Sequence, residues 1–226
     1  MNVGQFNASI ENARRLLKRE KLLRQESPKA GNISDKFKAA CKLLDYSAIY
    51  RTAVDELDYS FLLRDESFFQ FSRYQSEEKI SLRYAFYECP FEFPTFDEYL
   101  SNAGLESSYR DVEIRSGYEQ ELTEAPAKAS FCPMRFDYSE DQYTPGMHPT
   151  SHLHIGHANS VRIPIFRVLT PLAFVVTVLK QVYFGAWPKL AIARETEKQR
   201  KQRKENCPIV PPRFFGPLDK SDFYLH

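Results

Sequence analysis

Residues 134–157, MRFDYSEDQYTPGMHPTSHLHIGH, decide the fold of this chain. Apolar and polar residues alternate from Lys128 to Asp141 and again through SHLHIGHA, from Ser151 to Ala158, and this alternation predicts two strands. The segment QYTPGMHPT between them contains Pro and Gly and predicts a loop. Such a loop allows the two strands to pair as antiparallel neighbours.

Further elements are predicted on both sides of this pair. Strands are predicted over Lys79–Cys89, through Val112 and Ile114, and in the segment VRIPIF (161–166). Helical spacing and capping residues predict helices over Ile10–Gln25, Asp35–Leu57, Thr95–Gly104, a segment that starts at Pro171, and Trp187–Asn206. The positions in the second of these helices that we expect to point inward are Phe37, Cys41, Leu44, Ile49 and Val54.

This order of elements predicts an α+β fold, with one mostly antiparallel sheet flanked by N-terminal and C-terminal helices. We expect a single domain over residues 1–226. Its expected parts are a helical N-terminal part (1–75), the sheet (78–166), C-terminal helices (170–206) and an extended tail (207–226).

The composition excludes several classes of protein. The eight glycines contain no GxG pair, which excludes the P-loop and the dinucleotide-binding fingerprint, and GxSxG, HExxH and CxxC are absent. The longest uncharged apolar stretch, VLTPLAFVVTVL (168–179), is shorter than the about 20 residues that span a bilayer. With no secretory signal and four widely spaced cysteines, these features predict a cytoplasmic protein without a membrane partner.

Positive charge is concentrated at the two ends of the chain. Residues 1–30 contain seven basic and three acidic side chains, and residues 180–206 contain eight and three. Such segments attract phosphate backbones or acidic proteins, so we expect nucleic acid, RNA above all, or another protein subunit as partner. The residues expected to make this contact are Arg194, Lys198, Arg200, Lys201, Arg203 and Lys204. The alternative is a solvated helix face.

Four of the five histidines lie within residues 148–157. Since alternate residues of a strand share a face, His152 and His154 point the same way, and so do Arg135 and Asp137. If the register permits, the four form one polar patch on the face away from the apolar packing. Tyr143, His148 and His157 are candidates for its rim.

Four interpretations of this patch remain open. In metal-free phosphodiester cleavage, His152 and His154 supply acid–base catalysis, Arg135 holds the phosphate and Asp137 orients an imidazole. Asp137, His152 and His154 could instead bind Fe(II) or Zn, as two histidines and a carboxylate do. A pocket that binds an anion without turning it over and a purely structural set of hydrogen bonds complete the alternatives.

The segments RFDY, HP, HLHIG, VRIP and PLAFVVTVLKQVYF, in this order, resemble DUF2290, a bacterial family of unassigned function. The similar stretch covers about the C-terminal half of the family domain. The resemblance implies a bacterial cytoplasmic protein of about this size and no particular activity. Families of this kind often lie in toxin or phage-defence loci, which favours nucleic-acid chemistry by analogy only.

These observations predict a protein that acts on nucleic acid. We expect a metal-independent, RNase-like toxin or phage-defence effector, a phosphodiesterase without a cofactor. The alternative is a non-enzymatic interaction subunit of a bacterial defence or toxin–antitoxin complex, assembled through its basic helices and its proline-rich tail.

Overall fold

The computed structural model describes residues 1–29, 33–43, 45–76, 79–157 and 161–226. The helices in these ranges are α1 (Val3–Arg19), α2 (Asp35–Leu43), α3 (Tyr46–Asp55), α4 (Phe96–Ala103), α5 (Val112–Glu124), α6 (Pro171–Gln181), α7 (Glu197–Glu205) and α8 (Pro217–Ser221). The strands are β1 (Leu23–Glu26), β2 (Phe61–Leu63), β3 (Phe68–Ser76), β4 (Lys79–Tyr87), β5 (Met134–Ser139), β6 (Ser151–Ile155) and β7 (Val161–Pro164). The strands follow chain order in one antiparallel sheet, and helices occur at both ends of the chain, which confirms the predicted α+β class.

Backbone packing divides the described residues into two compact units. The first unit comprises residues 1–21, 69–86 and 132–226. Its core is aromatic: the ring of Tyr84 lies 5.2 Å from that of Phe136 and 5.9 Å from that of Phe174, and all three side chains are fully buried. Rings at such distances add to the hydrophobic effect of burial, so this cluster anchors strands β4 and β5 beneath α6.

Helix α6 of the first unit begins where the sequence predicts. Thr170 caps it by accepting a hydrogen bond from the backbone of Ala173, and Pro171 fills the first turn, where no N–H is needed. Its buried face is apolar, and the hydroxyl of Ser9 on α1 accepts from the backbone of Leu172 at 3.0 Å. The two helices are therefore joined by a hydrogen bond as well as by packing.

The second unit comprises residues 22–68 and 87–131. Aromatic side chains fill its core too, with Phe96 and Tyr118 5.1 Å apart. Glu66 is nearly buried beside Arg24 and Arg115, and burial raises the pKa of its carboxyl to about 8 against the opposing pull of Arg24. The hydrogen bonds that Arg24 and Arg115 donate to this carboxyl tie β1 to α5.

The strand predicted through Val112 and Ile114 is wrong, because both residues belong to helix α5. Asp111 caps this helix by accepting from the backbone N–H groups of Glu113 and Ile114. The short apolar alternation at this point is outweighed by the cap and by the helix-favouring Glu, Arg and Gln residues that follow. The capping box of Thr95 with Glu98 and the stop at Gly104, with φ of 68°, are confirmed in α4.

Other boundaries also differ from the predictions. Residues 1–75 are not only helical, because they contain β1, β2 and most of β3. The helix predicted over Asp35–Leu57 is two helices, since Asp45 caps a second one. The stretch Trp187–Asn206 holds two 3-10 turns before α7, and the tail predicted as extended contains α8. The inward position predicted for Leu44 and the strand end predicted at Ala158 lie outside the described residues.

Candidate active site on strands β4 to β7

The register of the sheet brings the four predicted residues together. Strand β5 pairs antiparallel with β6, so that Arg135 faces His154 and Asp137 faces His152. These are directly opposite pairs, whose side chains lie on one face of the sheet. The patch predicted from the alternation therefore forms in the structure, with Phe136 and Leu153 on the opposite face.

Two arginines that the sequence analysis did not select join the patch. Arg83 on β4 pairs with Asp137, and Arg162 on β7 pairs with His154. Apolar and polar residues also alternate along β4 and β7, and this alternation places the side chains of Arg83 and Arg162 on the same face as the histidines. The sequence therefore contained a signal for both arginines. What the sequence did not provide was the order of the strands. We call the following residues the His–Arg site: Arg83, Arg135, Asp137, His148, His152, His154 and Arg162.

Asp137, His152 and His154 of the His–Arg site are buried, whereas its arginines reach solvent. The exposed fraction is 1% for His152, 2% for His154 and 8% for Asp137. The side chains of Arg135 and Arg83 are 23% and 57% exposed. The imidazoles are therefore less accessible than the predicted open polar face implies.

Asp137 is the centre of the site. Its Oδ2 atom accepts a hydrogen bond of 2.8 Å from Arg135, and its Oδ1 atom accepts one of 3.2 Å from Arg83. Burial alone would raise the pKa of this carboxyl, but the hydrogen bond from His154 and the two guanidinium charges outweigh it and hold the pKa well below the usual range. Asp137 is therefore ionised at neutral pH.

His152 is held as a neutral imidazole. Its Nδ1 atom lies 2.8 Å from the carbonyl oxygen of Pro149, so Nδ1 carries the proton and donates it. Its Nε2 atom lies 3.9 Å from Asp137, beyond hydrogen-bond distance. Burial, and then the neighbouring ring of His154, lower the pKa of His152 to about 4.

His154 has the opposite arrangement. Its Nε2 atom lies 3.4 Å from Oδ2 of Asp137 and donates to that carboxylate. In a neutral ring the proton on Nε2 leaves the lone pair on Nδ1. That Nδ1 atom is buried and has no hydrogen-bond partner among the residues that the structure describes. A carboxylate that orients an imidazole through one nitrogen and leaves the other free is the arrangement of a general base.

The three residues predicted as a rim differ in position. The ring of His148 lies 5.1 Å from that of His152, and burial, then the charge of Arg162, lowers its pKa. His157 follows the end of β6. Tyr143 donates to Asp219 of α8 at 2.6 Å. Of the three, we include only His148 in the His–Arg site.

Asp137, His152 and His154 also form a candidate metal centre. One ligand atom from each lies within 4.8 Å of the others, and two histidines with a carboxylate suit Zn or Fe(II). The carboxylate, however, already accepts from two guanidinium groups. Two fixed positive charges beside a divalent ion oppose its binding, so the surroundings of this donor set fit an anion better than a cation.

The basic residues predicted to contact a partner lie around α7. Arg194, Lys198, Arg200, Lys201 and Lys204 are exposed, and Arg203 is half-buried. Four of them have contacts within the chain. Arg203 pairs with Glu195, and Arg200 donates to backbone carbonyls of residues 193 and 195. Nζ of Lys201 lies 4.0 Å from Glu205, and Nζ of Lys204 lies 3.4 Å from Nδ1 of His226. The six side chains together still form a cationic surface on this helix and the turn before it.

These features define an α+β protein with a buried Asp–His pair beneath a layer of arginines on an antiparallel sheet. The chain belongs to DUF2290, described as an uncharacterized conserved protein, whose family model matches residues 18–211. The match is longer than the C-terminal half noted in the sequence. No curated protein and no solved structure matches the chain. In the described ranges, no helix is both long and apolar enough to cross a bilayer.

Proposed function

We propose that this protein acts on nucleic acid as a metal-independent phosphodiesterase of the ribonuclease type. It would work in the bacterial cytoplasm as a toxin or a phage-defence effector, with RNA as substrate and no cofactor. The observation that carries the proposal is the Asp137–His154 pair beside the guanidinium groups of Arg83 and Arg135. An oriented imidazole and a cluster of arginines are what in-line attack on a phosphodiester requires.

The roles of the residues follow from their hydrogen bonds. Nδ1 of His154 takes the proton of a ribose 2′-hydroxyl, and the 2′-oxygen attacks the adjacent phosphorus. The bond from phosphorus to the 5′-oxygen breaks, and that oxygen takes a proton from solvent, to which His154 then releases the proton that it removed. The products are a 2′,3′-cyclic phosphate and a 5′-hydroxyl. His152, neutral at pH 7, positions its neighbours rather than transferring the proton.

The burial of His154 sets a condition for this reaction. The substrate phosphate must draw Arg135 away from Asp137 into a bidentate pair, because an imidazole 2% exposed is otherwise inaccessible. Arg83 keeps Asp137 ionised during this exchange. Binding of the RNA phosphate then exposes the general base, His154, in the same step. The RNA also contacts the basic surface around α7.

The test is cleavage of a labelled RNA oligonucleotide in EDTA by the wild-type chain, His154→Ala and Arg83→Gln, with His157→Ala as the matched histidine control. We expect a loss of about 100-fold or more for His154→Ala, the usual contribution of a general base, and unchanged cleavage for His157→Ala. Arg83→Gln replaces an exposed side chain and should leave the protein folded, so a loss of activity in this variant is not caused by unfolding. Equal activity of all four folded proteins overturns the proposal, and activity that EDTA removes moves it to the metal alternative.

A second function is favoured by a separate observation, the apolar surface of the C-terminal segment. Phe223 is 98% exposed and Leu218 is 61% exposed. Large apolar side chains exposed in one segment are typical of a protein-binding surface. In this alternative the chain is a non-enzymatic subunit that uses this tail and the basic helix α7 for assembly. Gel filtration with multi-angle scattering of the wild type and Phe223→Ser tests self-association directly.

A further inference from the structure

A groove lies in the first unit, on the side of β6 opposite the His–Arg site. Leu153 contributes to its floor, whereas the flanking His152 and His154 point the other way. Its walls come from α6, α7 and the segments that follow β7 and α8. Its volume of about 440 Å³ falls within the roughly 300–1,000 Å³ of small-molecule pockets. We call it the basic groove.

The charged side chains that line the basic groove are all cationic. They are Arg167, Lys180, Arg200, Arg203 and Lys204, and no Asp or Glu side chain of the described residues lines it. Arg200 and Arg203 are engaged with the turn before α7, as described above. Lys180 is exposed and has no acidic partner among the described residues. The basic groove therefore concentrates positive charge that the protein itself leaves partly uncompensated.

Arg167 is a second sign of an incomplete site. Its Nη1 atom donates to the carbonyls of Lys204 and Cys207, at 3.3 and 3.0 Å. Its Nε atom is buried and has no hydrogen-bond partner in the part of the chain that the structure describes. Since a buried donor without an acceptor is costly, an anionic oxygen in the groove would satisfy it.

The floor of the groove defines the rest of the ligand. It is made of aliphatic side chains, namely Leu153, Ile165, Leu169, Ala173, Val176 and Leu225. The hydroxyl of Thr177 is already used, because it donates to the carbonyl of Ala173 at 2.9 Å. Among the lining side chains this leaves the amide of Gln181, the thiol of Cys207 and the ring of His226 as the polar groups that are not Lys or Arg. A base or a sugar would find few partners here, whereas an aliphatic chain would be buried.

We propose that the basic groove binds an amphipathic anion, a single carboxylate or phosphate head on an aliphatic chain. The head lies among Lys180, Lys204 and Arg167, and the chain covers the floor formed by α6 and β6. The inference does not depend on the His–Arg site, since it uses the opposite side of β6. Lys204 belongs both to this groove and to the basic surface around α7, so the two proposals are separated by His154→Ala, which should affect only RNA cleavage, and by Ala173→Phe, which should affect only ligand binding.

The test is calorimetric titration of the full chain with dodecanoate and dodecyl phosphate below their micellar concentrations, with dodecanol as the uncharged probe. We expect both anions to bind at least about tenfold more tightly than dodecanol, since a charge-assisted hydrogen bond is lost with the head group. Lys180→Gln combined with Lys204→Gln should remove this preference. Lys198→Gln is the matched control, because Lys198 is an exposed lysine of α7 that does not line the groove.

Two further measurements complete the test. Ala173→Phe places a ring in the groove and should abolish binding of both anions, with its fold checked by circular dichroism. Sedimentation with phosphatidylglycerol vesicles separates a membrane head group from a free amphiphile, and we expect no sedimentation and retained binding of the free anions. The proposal is overturned if dodecanol binds as well as dodecanoate, or if Lys198→Gln lowers affinity as much as the double variant. Vesicle binding without binding of the free anions also overturns it.

Discussion

Acidification should destabilise this protein through His152, and the effect can be assigned to that residue. The folded protein holds His152 neutral with a pKa of about 4, whereas an unfolded histidine has a pKa near 6.5. Between these two values the unfolded chain binds a proton that the folded chain does not. The free energy of unfolding must therefore fall as the pH is lowered from about 6.5 to about 4.

The size of the effect follows from the difference between the two pKa values. At about 1.4 kcal/mol for each pH unit, the difference between about 4 and about 6.5 corresponds to about 3.5 kcal/mol in total, of which roughly 3 kcal/mol is lost by pH 4, where the folded histidine is half protonated. The burial of the side chain justifies the full value, because solvent screening at 1% exposure is small. For a chain of this length, roughly 3 kcal/mol corresponds to about 6–12 °C in melting temperature.

The assay compares urea unfolding of the wild type and His152→Asn at pH 7 and pH 4. Asparagine retains an N–H donor for the carbonyl of Pro149 but does not titrate, so the variant should lack the roughly 3 kcal/mol acid loss of the wild type. Contributions from other groups, such as Glu66, cancel in the comparison. His157→Asn is the control and should retain the acid loss. Parallel pH dependence of the wild type and His152→Asn would refute the burial argument.

Three further outcomes are expected. Asp137→Asn should lower the free energy of unfolding by about 3 kcal/mol, because it leaves two guanidinium groups without their carboxylate. Asp141→Asn, at an exposed pair with Lys79, should lower it by less than about 1 kcal/mol. Chemical denaturation at pH 7 measures both variants, and equal losses would contradict the central role of Asp137. Phe174→Ala should cost about 3–5 kcal/mol in the same assay, and a loss below about 1 kcal/mol would show that its ring is not at the core. Zinc added at 100 µM to metal-free protein should leave the melting temperature unchanged, because the positive charges of Arg83 and Arg135 oppose the binding of a zinc ion. An increase of several degrees would instead support a metal site.

The strands of the His–Arg site could be predicted because β5 and β6 alternate cleanly and are joined by a loop containing Pro and Gly. That pattern fixed which residues share a face, and the register then placed Arg135 and Asp137 opposite the two histidines. Arg83 and Arg162 required knowledge of which strands are neighbours, a long-range property that local alternation does not contain. The burial of the histidines could not be predicted either, because alternation shows which face of the sheet a side chain lies on and not which residues cover that face.

The failure at Val112 has a different cause. Two apolar residues two positions apart fit a strand and also one turn of a helix, and so short a pattern cannot distinguish them. The cap at Asp111 decided the outcome, and an N-cap residue followed by Glu and Arg was visible in the sequence. Caps are therefore better guides than alternation where the apolar run is short.

Strand β6 is five residues long, and its two sides serve different surfaces: imidazoles on one, the floor of the basic groove on the other. Inserting or deleting a single residue within it would exchange the sides, turning a histidine toward the aliphatic floor and a leucine toward Asp137. Related chains should therefore differ in length before Ser151 or after Ile155, and not between them. For the design of variants, this makes β6 a segment in which side chains can be replaced but the count of residues cannot be changed.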